Sequence, residues 1–441
     1  MTTEEGFDIL IIGAGPAAVA ALNGLSYGQR IAVVTGAVPS AEKWSTLHPK
    51  IQAVSLATAD VPGVAERIAA RRRRSRPLFS TAAEGGLANY WGQQFVRLGE
   101  ADPWPRDAFA SFHDYERACG DVERLFEVNG GERVNTGLLD DGFEFVRPRI
   151  VVGSAADRSA GLNAMRFVFA EMVAESRARL IHARVKSLAR VGGRWAATLD
   201  DGAQIVAARI LLAAGVLGDG QILLRSFPDL GGLQFTDHTP WMLFTVGVKR
   251  RLFNVCPGAP SFNALTLRRN RSEGCELFAS FYDMRASDLN LLLASTIGRA
   301  HPWLRRWPSP PGAGLVTPVQ VWTRETYGRV EITPSEGEPT FISEEPAKGR
   351  VDEDLMDFVS RLNQLGCRVI RRTRTEPAFG YHYHRLRLRP RGGDWVEVAD
   401  LLRDRTDGAV ISIDAAQLDQ IGRQPHTLTM MAGALACART L

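Results

Sequence analysis

Lysine is nearly missing from this chain. Lys43, Lys50, Lys186, Lys249 and Lys348 are five of 53 basic residues, and arginine supplies the rest. Against 49 acidic residues the formal net charge is only +4, and it is spread along the chain, so no nucleic-acid partner is expected. The one dense basic run, Arg71 to Arg74, reads as a solvated face, with an anionic partner as the sharper alternative. Cysteine is scarce and scattered: Cys119, Cys256, Cys275, Cys367 and Cys437 form no C-x-x-C pair, so neither a cysteine-built metal centre nor a disulfide framework is expected. No apolar run reaches the ~18 residues of a membrane-spanning helix, so no membrane partner is expected. A strand signal begins at Phe7 and leaves no room for a secretory leader, which points to a reduced, cytoplasmic protein. The 441 residues, 45% of them hydrophobic, are enough for two or three domains with a sizeable core.

What is present begins at the N-terminus. Phe7 to Ile12 is a short apolar run that reads as a buried parallel strand. Gly13, Gly15 and Ala18 follow in G-x-G-x-x-A order, and Pro16 to Leu25 reads as an Ala-rich helix. Gly13 permits the tight turn, Gly15 lets backbone approach a pyrophosphate, and Ala18 lets helix and strand pack closely. After a strand and before a helix, this spacing predicts a dinucleotide site. Ile31 to Thr35 reads as the second strand of the unit, but it ends without the usual acidic residue for the adenosine ribose. Thr35 then makes a weaker bond there, or another segment holds the ribose.

Farther on, EGGLANYWGQQ (Glu84 to Gln94) has neither a strand nor a helix period. Backbone lying against a flat ligand, walled by Tyr90 and Trp91, and a structured loop with aromatic anchors are equally good readings of it. Ala156 to Arg179 is helical in pattern. The strands after Leu180, with turns at Gly192-Gly193 and Asp201-Gly202, form a β-meander that ends in the buried run Ile210 to Ala214. Gly215 follows, then the helical VLGDGQILLRS, a further place for backbone to approach a cofactor.

Four stretches, in order, resemble the glucose–methanol–choline family of FAD oxidoreductases, in its pyranose-oxidase-like branch. They are FDILIIGAGPAA, GGLANYWG, ILLAAGVLGDGQILLRS with the later Asp237-His238, and the closing VISIDAAQLDQIGRQPHTLTMMAGALACA. The resemblance implies an α/β protein with a Rossmann-like FAD-binding domain, a parallel sheet plus β-meander, interleaved with an antiparallel-sheet substrate domain. The FAD-binding part would comprise residues 1–101, 150–238 and 408–441, and the substrate part 102–149 and 239–407. It implies FAD held by Gly13, Gly15, Pro16, Ala17 and Thr35 at the fingerprint, and by Gly85, Gly86, Asn89, Tyr90 and Trp91 in the second glycine segment. Val185, Ala214, Gly215, Asp237, His238, Asp414, Ala415 and Thr427 complete the implied contacts. Non-covalent attachment is expected because Tyr90 stands where relatives carry a flavin-linked histidine.

Between Trp241 and Arg374 the alternating segments read as an antiparallel sheet, Pro302 to Pro311 as a proline-broken loop, and Val351 to Leu365 as an amphipathic helix. In GYHYHRLRLR a strand would put His382, His384, Leu386 and Leu388 on one face. The family's His-x-x-Gly-Thr-x-x-Met pattern lies here without its Gly-Thr and Met, so His382 and His384 are equal candidates. His426, three residues before Thr429, matches relatives with a catalytic histidine at the start of the last helix. An imidazole near neutral pKa suits removal of a hydroxyl proton. The expected activity is oxidation of an alcohol, sugar-like or a secondary metabolite, to a carbonyl, with an unidentified electron acceptor. A flavoenzyme of other chemistry (desaturation, C=C reduction or monooxygenation) and a degenerate partner protein remain as alternatives.

Overall fold

The structure, a computed structural model, describes residues 6–26, 28–36, 82, 84–90, 94–134, 142–154, 164–247, 263–282, 316–324, 327–333, 339–342, 352–374 and 382–441. The Arg71 to Arg74 run, Trp91, Cys256, the Pro302 to Pro311 loop and Tyr381 lie outside the described residues, as do the side chains of Asn89 and Tyr90.

Phe7–Ile12 and Ile31–Thr35 are parallel neighbours joined through the Pro16–Gly24 helix. Gln204–Leu212 pairs in parallel on the other side of Phe7–Ile12. Arg179–His182 extends the sheet beyond Ile31–Thr35, and Val410–Ser412 pairs with the end of Gln204–Leu212. Phe7–Ile12, Ile31–Thr35 and the last three residues of Gln204–Leu212 are largely buried because both faces are covered, and this is why they read as continuous apolar runs. Val185–Val191, Arg194–Leu199 and Gln204–Leu212 form the antiparallel meander. Gly192 and Gly193 both take positive φ at its first turn, a conformation that favours glycine.

The expected helix in 156–179 is Ala164–Glu175, and VLGDGQILLRS is the helix Gly215–Ser226. The closing helix Thr427–Arg439 packs along Pro16–Gly24. A Cβ on Gly24 would lie 2.8 Å from Ala438 Cβ, so the carboxyl ends of the two helices adjoin. The helices therefore run the same way and start at the same end. On its other side, Thr427–Arg439 meets the helix Phe112–Glu123, where Tyr115 Oη and Thr429 Oγ1 are 2.9 Å apart.

A second core lies under a seven-stranded antiparallel sheet whose central strands are Trp241–Val246, Val316–Trp322, Gly274–Tyr282 and Asn263–Arg271. Helix Glu353–Gln364 starts at Asp352, whose carboxylate accepts from Leu355 N at 2.9 Å. Its Leu355, Phe358 and Leu362 pack on Leu267, Leu277, Phe281 and Val321 of the sheet. Each such burial contributes about 1.5–3 kcal/mol. Arg269, 2% exposed, is held beside them by Asp354, Asp357 (2.6 Å) and Glu276 (3.5 Å).

A third, five-stranded sheet contains Tyr327–Ile332, Leu230–His238 and His384–Pro390. Its Leu233, Phe235, Val330, Leu386 and Leu388 join the first core, as do Tyr115 and Val122. Residues expected in the substrate part thus help to build the core around the parallel sheet.

Candidate functional site

Ile12 and Leu212 end side by side, and Ala213 N donates to Ile12 O at 2.8 Å. Gly13 adopts φ +116°, and a Cβ there would sit 2.1 Å from Ala213 O. Its glycine is required by the fold itself. Gly15 is different. Its φ is −84°, open to any residue, and its Cβ would meet only Gly86 Cα, at 4.0 Å. The second glycine segment lies over this turn: Gly85 N donates to Ala14 O at 2.7 Å, and a Cβ on Gly86 would come within 3.1 Å of Gly15 Cα. The helix that starts at Pro16 has no side-chain cap, so the N–H groups of its first turn, Ala17 among them, are without a capping partner. A bare glycine cradle at an uncapped helix start fits a phosphate-bearing cofactor.

Thr35 ends its strand, but its hydroxyl donates to Ala82 O at 3.0 Å and so ties down the incoming chain. Val185 begins the meander two residues after Ala183, whose N–H reaches Thr35 O at 2.8 Å. On the far side of the turn, Gly215 takes φ +77° and opens the helix Gly215–Ser226. Ala214 N donates to Asp219 Oδ1 at 3.0 Å.

Asp414 follows the strand Val410–Ser412 and begins the short helix that contains Ala415; its Oδ1 accepts from Ala416 N at 2.8 Å. Its Oδ2 is buried without a hydrogen-bond partner. Burial pushes the Asp414 carboxyl up to about 6, against the Ala416 and Gly215 N–H groups, which favour the anion. Asp219, wholly buried, is raised by burial and by the Asp414 charge. An orphaned carboxylate oxygen next to Gly215 fits a ligand hydroxyl.

Four of the eight histidines meet in one cluster. His238 Nδ1 and His382 Nδ1 are 2.6 Å apart. The ring of His382 lies 5.1 Å from that of His426, edge to face, and His384 lies 6.4 Å from His426. Leu230–His238 delivers His238 at its last position, while His384 starts the neighbouring antiparallel strand. His382 precedes that strand, and its backbone N donates to Asp237 Oδ1 at 2.9 Å. Asp237 and His238, implied as cofactor contacts, are thus directed to the His382 segment. His384, Leu386 and Leu388 are all buried, though the single face that alternation predicts is not kept, since Tyr383 of the opposite parity is buried against Phe235.

His426 immediately precedes Thr427 at the start of the closing helix, and its Nδ1 is buried with no partner. Burial holds all four imidazoles below their ordinary range: His382 falls to about 3 and His384 to about 4. For His238 and His426, the neighbouring rings of His382 and His384 add to the burial effect. The cluster is therefore neutral at pH 7; each ring carries one proton, and of the two joined Nδ1 atoms of His238 and His382 one donates and the other accepts. Among the described residues, no group of His, Cys, Asp or Glu is arranged to hold a metal ion.

Sequence reasoning missed the wall of this cluster. Trp322 stacks on His382, with centroids 5.6 Å apart and planes at 15°. Gln320, on the same face of the strand, receives the Tyr282 hydroxyl at Oε1. Gln320 Nε2 and Trp322 Nε1 are buried donors without partners. The signal available was TPVQVW, where polar and aromatic positions alternate with core valines.

No protein-family model matches the chain, and no curated protein does. The likeness found is one of fold, a mixed α/β architecture. Pyridoxine 4-oxidase from Mesorbium loti shares it, with a TM-score of 0.52 over 99% of this chain and 99% of that one, at 14% sequence identity. No helix among the described residues is long and apolar enough to cross a membrane.

Proposed function

We propose that this chain is an FAD-dependent oxidoreductase that oxidises an alcohol, sugar-like or a secondary metabolite, to a carbonyl, with His426 as the proton acceptor. One observation carries the reading. The helix headed by His426 runs alongside and in the same direction as the helix headed by the Gly15 cradle, so a buried, unpartnered imidazole nitrogen and a phosphate-ready turn share one end of the fold. Gly13, Gly15, Gly86 and the first-turn N–H groups suit the pyrophosphate, and Asp414 Oδ2 suits a cofactor hydroxyl. Attachment is non-covalent, on the strength of Tyr90. FAD, when bound, supplies the acceptor for a hydride.

The chain's own residues do the rest. His426 Nδ1 takes the hydroxyl proton, which a neutral imidazole can do and an imidazolium cannot. His382 or His384 assists by holding the hydroxyl in place. Gln320 Nε2 and Trp322 Nε1 offer donors to an acceptor atom of the substrate, favouring a small polar molecule. The electron acceptor is a separate small molecule or protein, and the setting is the cytoplasm.

The test has two parts. The purified protein should be yellow and should release FAD on acid precipitation. A colourless protein that cannot be reconstituted with FAD refutes the reading. With an alcohol that reduces the flavin anaerobically, His426→Ala should slow reduction by ~10²–10⁴-fold while FAD content holds. Reduction at the parent rate would remove His426 from the reaction.

A further inference from the structure

We propose that Arg385 is a positioning residue: as the extra residue of a β-bulge it steps the strand by one place, so that His384 joins His238 and His426 rather than the leucines that follow it. The inference rests on the reading above only for the use made of His384, since its placement follows from contacts within the chain. Among the described residues three non-glycines take positive φ: Arg177, Arg385 and Asp407. Arg177 and Asp407 come just after the helices Ala164–Glu175 and Val398–Thr406, where a left-handed residue commonly ends a helix. Arg385, at φ +52°, lies inside a strand, where that conformation is costly and has no such account.

The ladder supplies one. From Gln234↔Arg387 to Thr236↔His384 the strand Leu230–His238 advances two residues and His384–Pro390 three, so Arg385 and Leu386 together face Phe235. An unbroken ladder would set Arg385 opposite Thr236, His384 opposite Asp237 and Tyr383 opposite His238. Residues directly opposite each other share a face of the sheet. His384 therefore stands on the face of Thr236 and His238, and its ring is 5.9 Å from that of His238 and 6.0 Å from that of Tyr327. Tyr383 takes the other face, 4.8 Å from Phe235, within the core that Leu386 and Leu388 also join. Arg387 reaches Gln234 Oε1 at 3.4 Å, on the face of His384 although three residues from it. The period of two is broken at Arg385.

Arg385 also fastens the bulge that it forms. Its guanidinium donates to Glu397 Oε1 from Nη2 at 2.9 Å and from Nε at 3.2 Å, and Nε lies 3.0 Å from Asp419 Oδ1. Glu397 belongs to the next strand of the sheet, Val396–Glu397, and Asp419 to the run that leads into His426. A glycine would adopt the same φ more easily but could hold neither acid. Arginine in this conformation therefore joins two settings, the aim of His384 and the approach of the segment that carries His426. The rings of those two histidines stand 6.4 Å apart.

The experiment reads the register by disulfide trapping in the full chain, with the bridge located by mass spectrometry. Directly opposite residues of an antiparallel pair lie within reach of a disulfide, whereas diagonal neighbours point to opposite faces. Thr236→Cys with His384→Cys should therefore bridge, and Asp237→Cys with His384→Cys should not. The decisive variant deletes Arg385. Loss of a residue from a regular strand turns every residue beyond it to the other face. Loss of the extra residue of a bulge restores a regular ladder and leaves His384 opposite Thr236. The 236–384 bridge should thus survive the deletion, and survive Arg385→Gly as well. In chains that keep Thr236 and His384, deletion of Arg385 should allow anaerobic flavin reduction by an alcohol at least ~10-fold faster than Arg385→Val, whose branched side chain resists positive φ and drives His384 from the cluster. If the valine or the deleted chain does not fold, the two parent pairs and Arg385→Gly still decide. No 236–384 bridge in the parent, a 237–384 bridge in its place, its loss on deletion or in Arg385→Gly, or slower reduction after deletion than after valine overturns the proposal. The bridges form with or without flavin. A colourless protein with the expected bridges sinks the FAD reading alone, and a yellow, active protein that joins 384 to 237 sinks the role of Arg385 alone.

Discussion

Gly13 and Gly15 stand two residues apart in one motif, yet the structure gives them opposite reasons for being glycine. At Gly13 a side chain must adopt φ +116° and lodge 2.1 Å from the Ala213 carbonyl. Positive-φ strain alone is ~1–3 kcal/mol, and the backbone clash adds to it, so Gly13→Ala should lower the melting temperature by several degrees or abolish soluble expression. At Gly15 the backbone is ordinary and the new Cβ finds only Gly86 Cα at 4.0 Å. There Gly15→Ala should change folding stability by less than ~1 kcal/mol, in either direction. Its effect should fall on the ligand instead. A Cβ beside the first-turn N–H groups displaces a phosphate from two hydrogen bonds worth ~1.5–3 kcal/mol each, so FAD affinity should drop by ~10²-fold or more, and further in Gly15→Val. Thermal unfolding of the flavin-free protein, paired with quenching of FAD fluorescence on titration, measures both quantities. Wild-type FAD affinity in a folded Gly15→Val protein would refute the cradle, and a Gly13→Ala protein that melts with the parent would refute the division of roles.

Two further outcomes follow from the buried groups. His384 titrates near 4 in the fold, because of burial, against ~6.5 when unfolded; the unfolded chain therefore binds more protons between those values. Stability is fully present above pH 6.5 and should fall by ~1.4 kcal/mol per pH unit below it, so denaturant unfolding of His384→Gln should lose about 2 kcal/mol less than the parent between pH 7 and pH 5; equal losses would discard the buried-neutral assignment. Arg269→Met should remove the buried cation shared by buried Glu276, half-buried Asp354 and more exposed Asp357, while Arg271 and Arg324 still face Glu276, and should destabilise the protein by ~1.5–3 kcal/mol in thermal or denaturant unfolding; an unchanged midpoint would show that the network is not stabilising.

The parallel strands were legible because burial on both faces leaves an unbroken apolar run, as in Phe7 to Ile12 and Ile31 to Thr35. The helix Glu353–Gln364 was legible from its apolar stripe of Leu355, Phe358 and Leu362. The convergence of His238, His382, His384 and His426 was not. It depends on the register Thr236↔His384 and on the closing segment returning across both sheets, and no local pattern encodes either. Gln320 and Trp322 escaped notice because strand Val316–Trp322 is covered on both faces, where a polar residue aimed at a site and a satisfied core residue have the same alternation. The distinct duties of Gly13 and Gly15 likewise depend on Ala213, two hundred residues away.

Asp102 accepts from Gly99 N at 2.7 Å, from Cys275 N at 2.7 Å and from Gln424 Nε2 at 2.9 Å. One carboxylate thereby fastens a surface turn, an inner strand of the antiparallel sheet and the segment that leads into His426. In engineering terms the chain has no clean seam between this antiparallel sheet and its closing helix. A chimera that imports the sheet from a relative must bring a matching acid at 102 and amide at 424, or the imidazole at 426 will be set by a scaffold from which its anchor has gone.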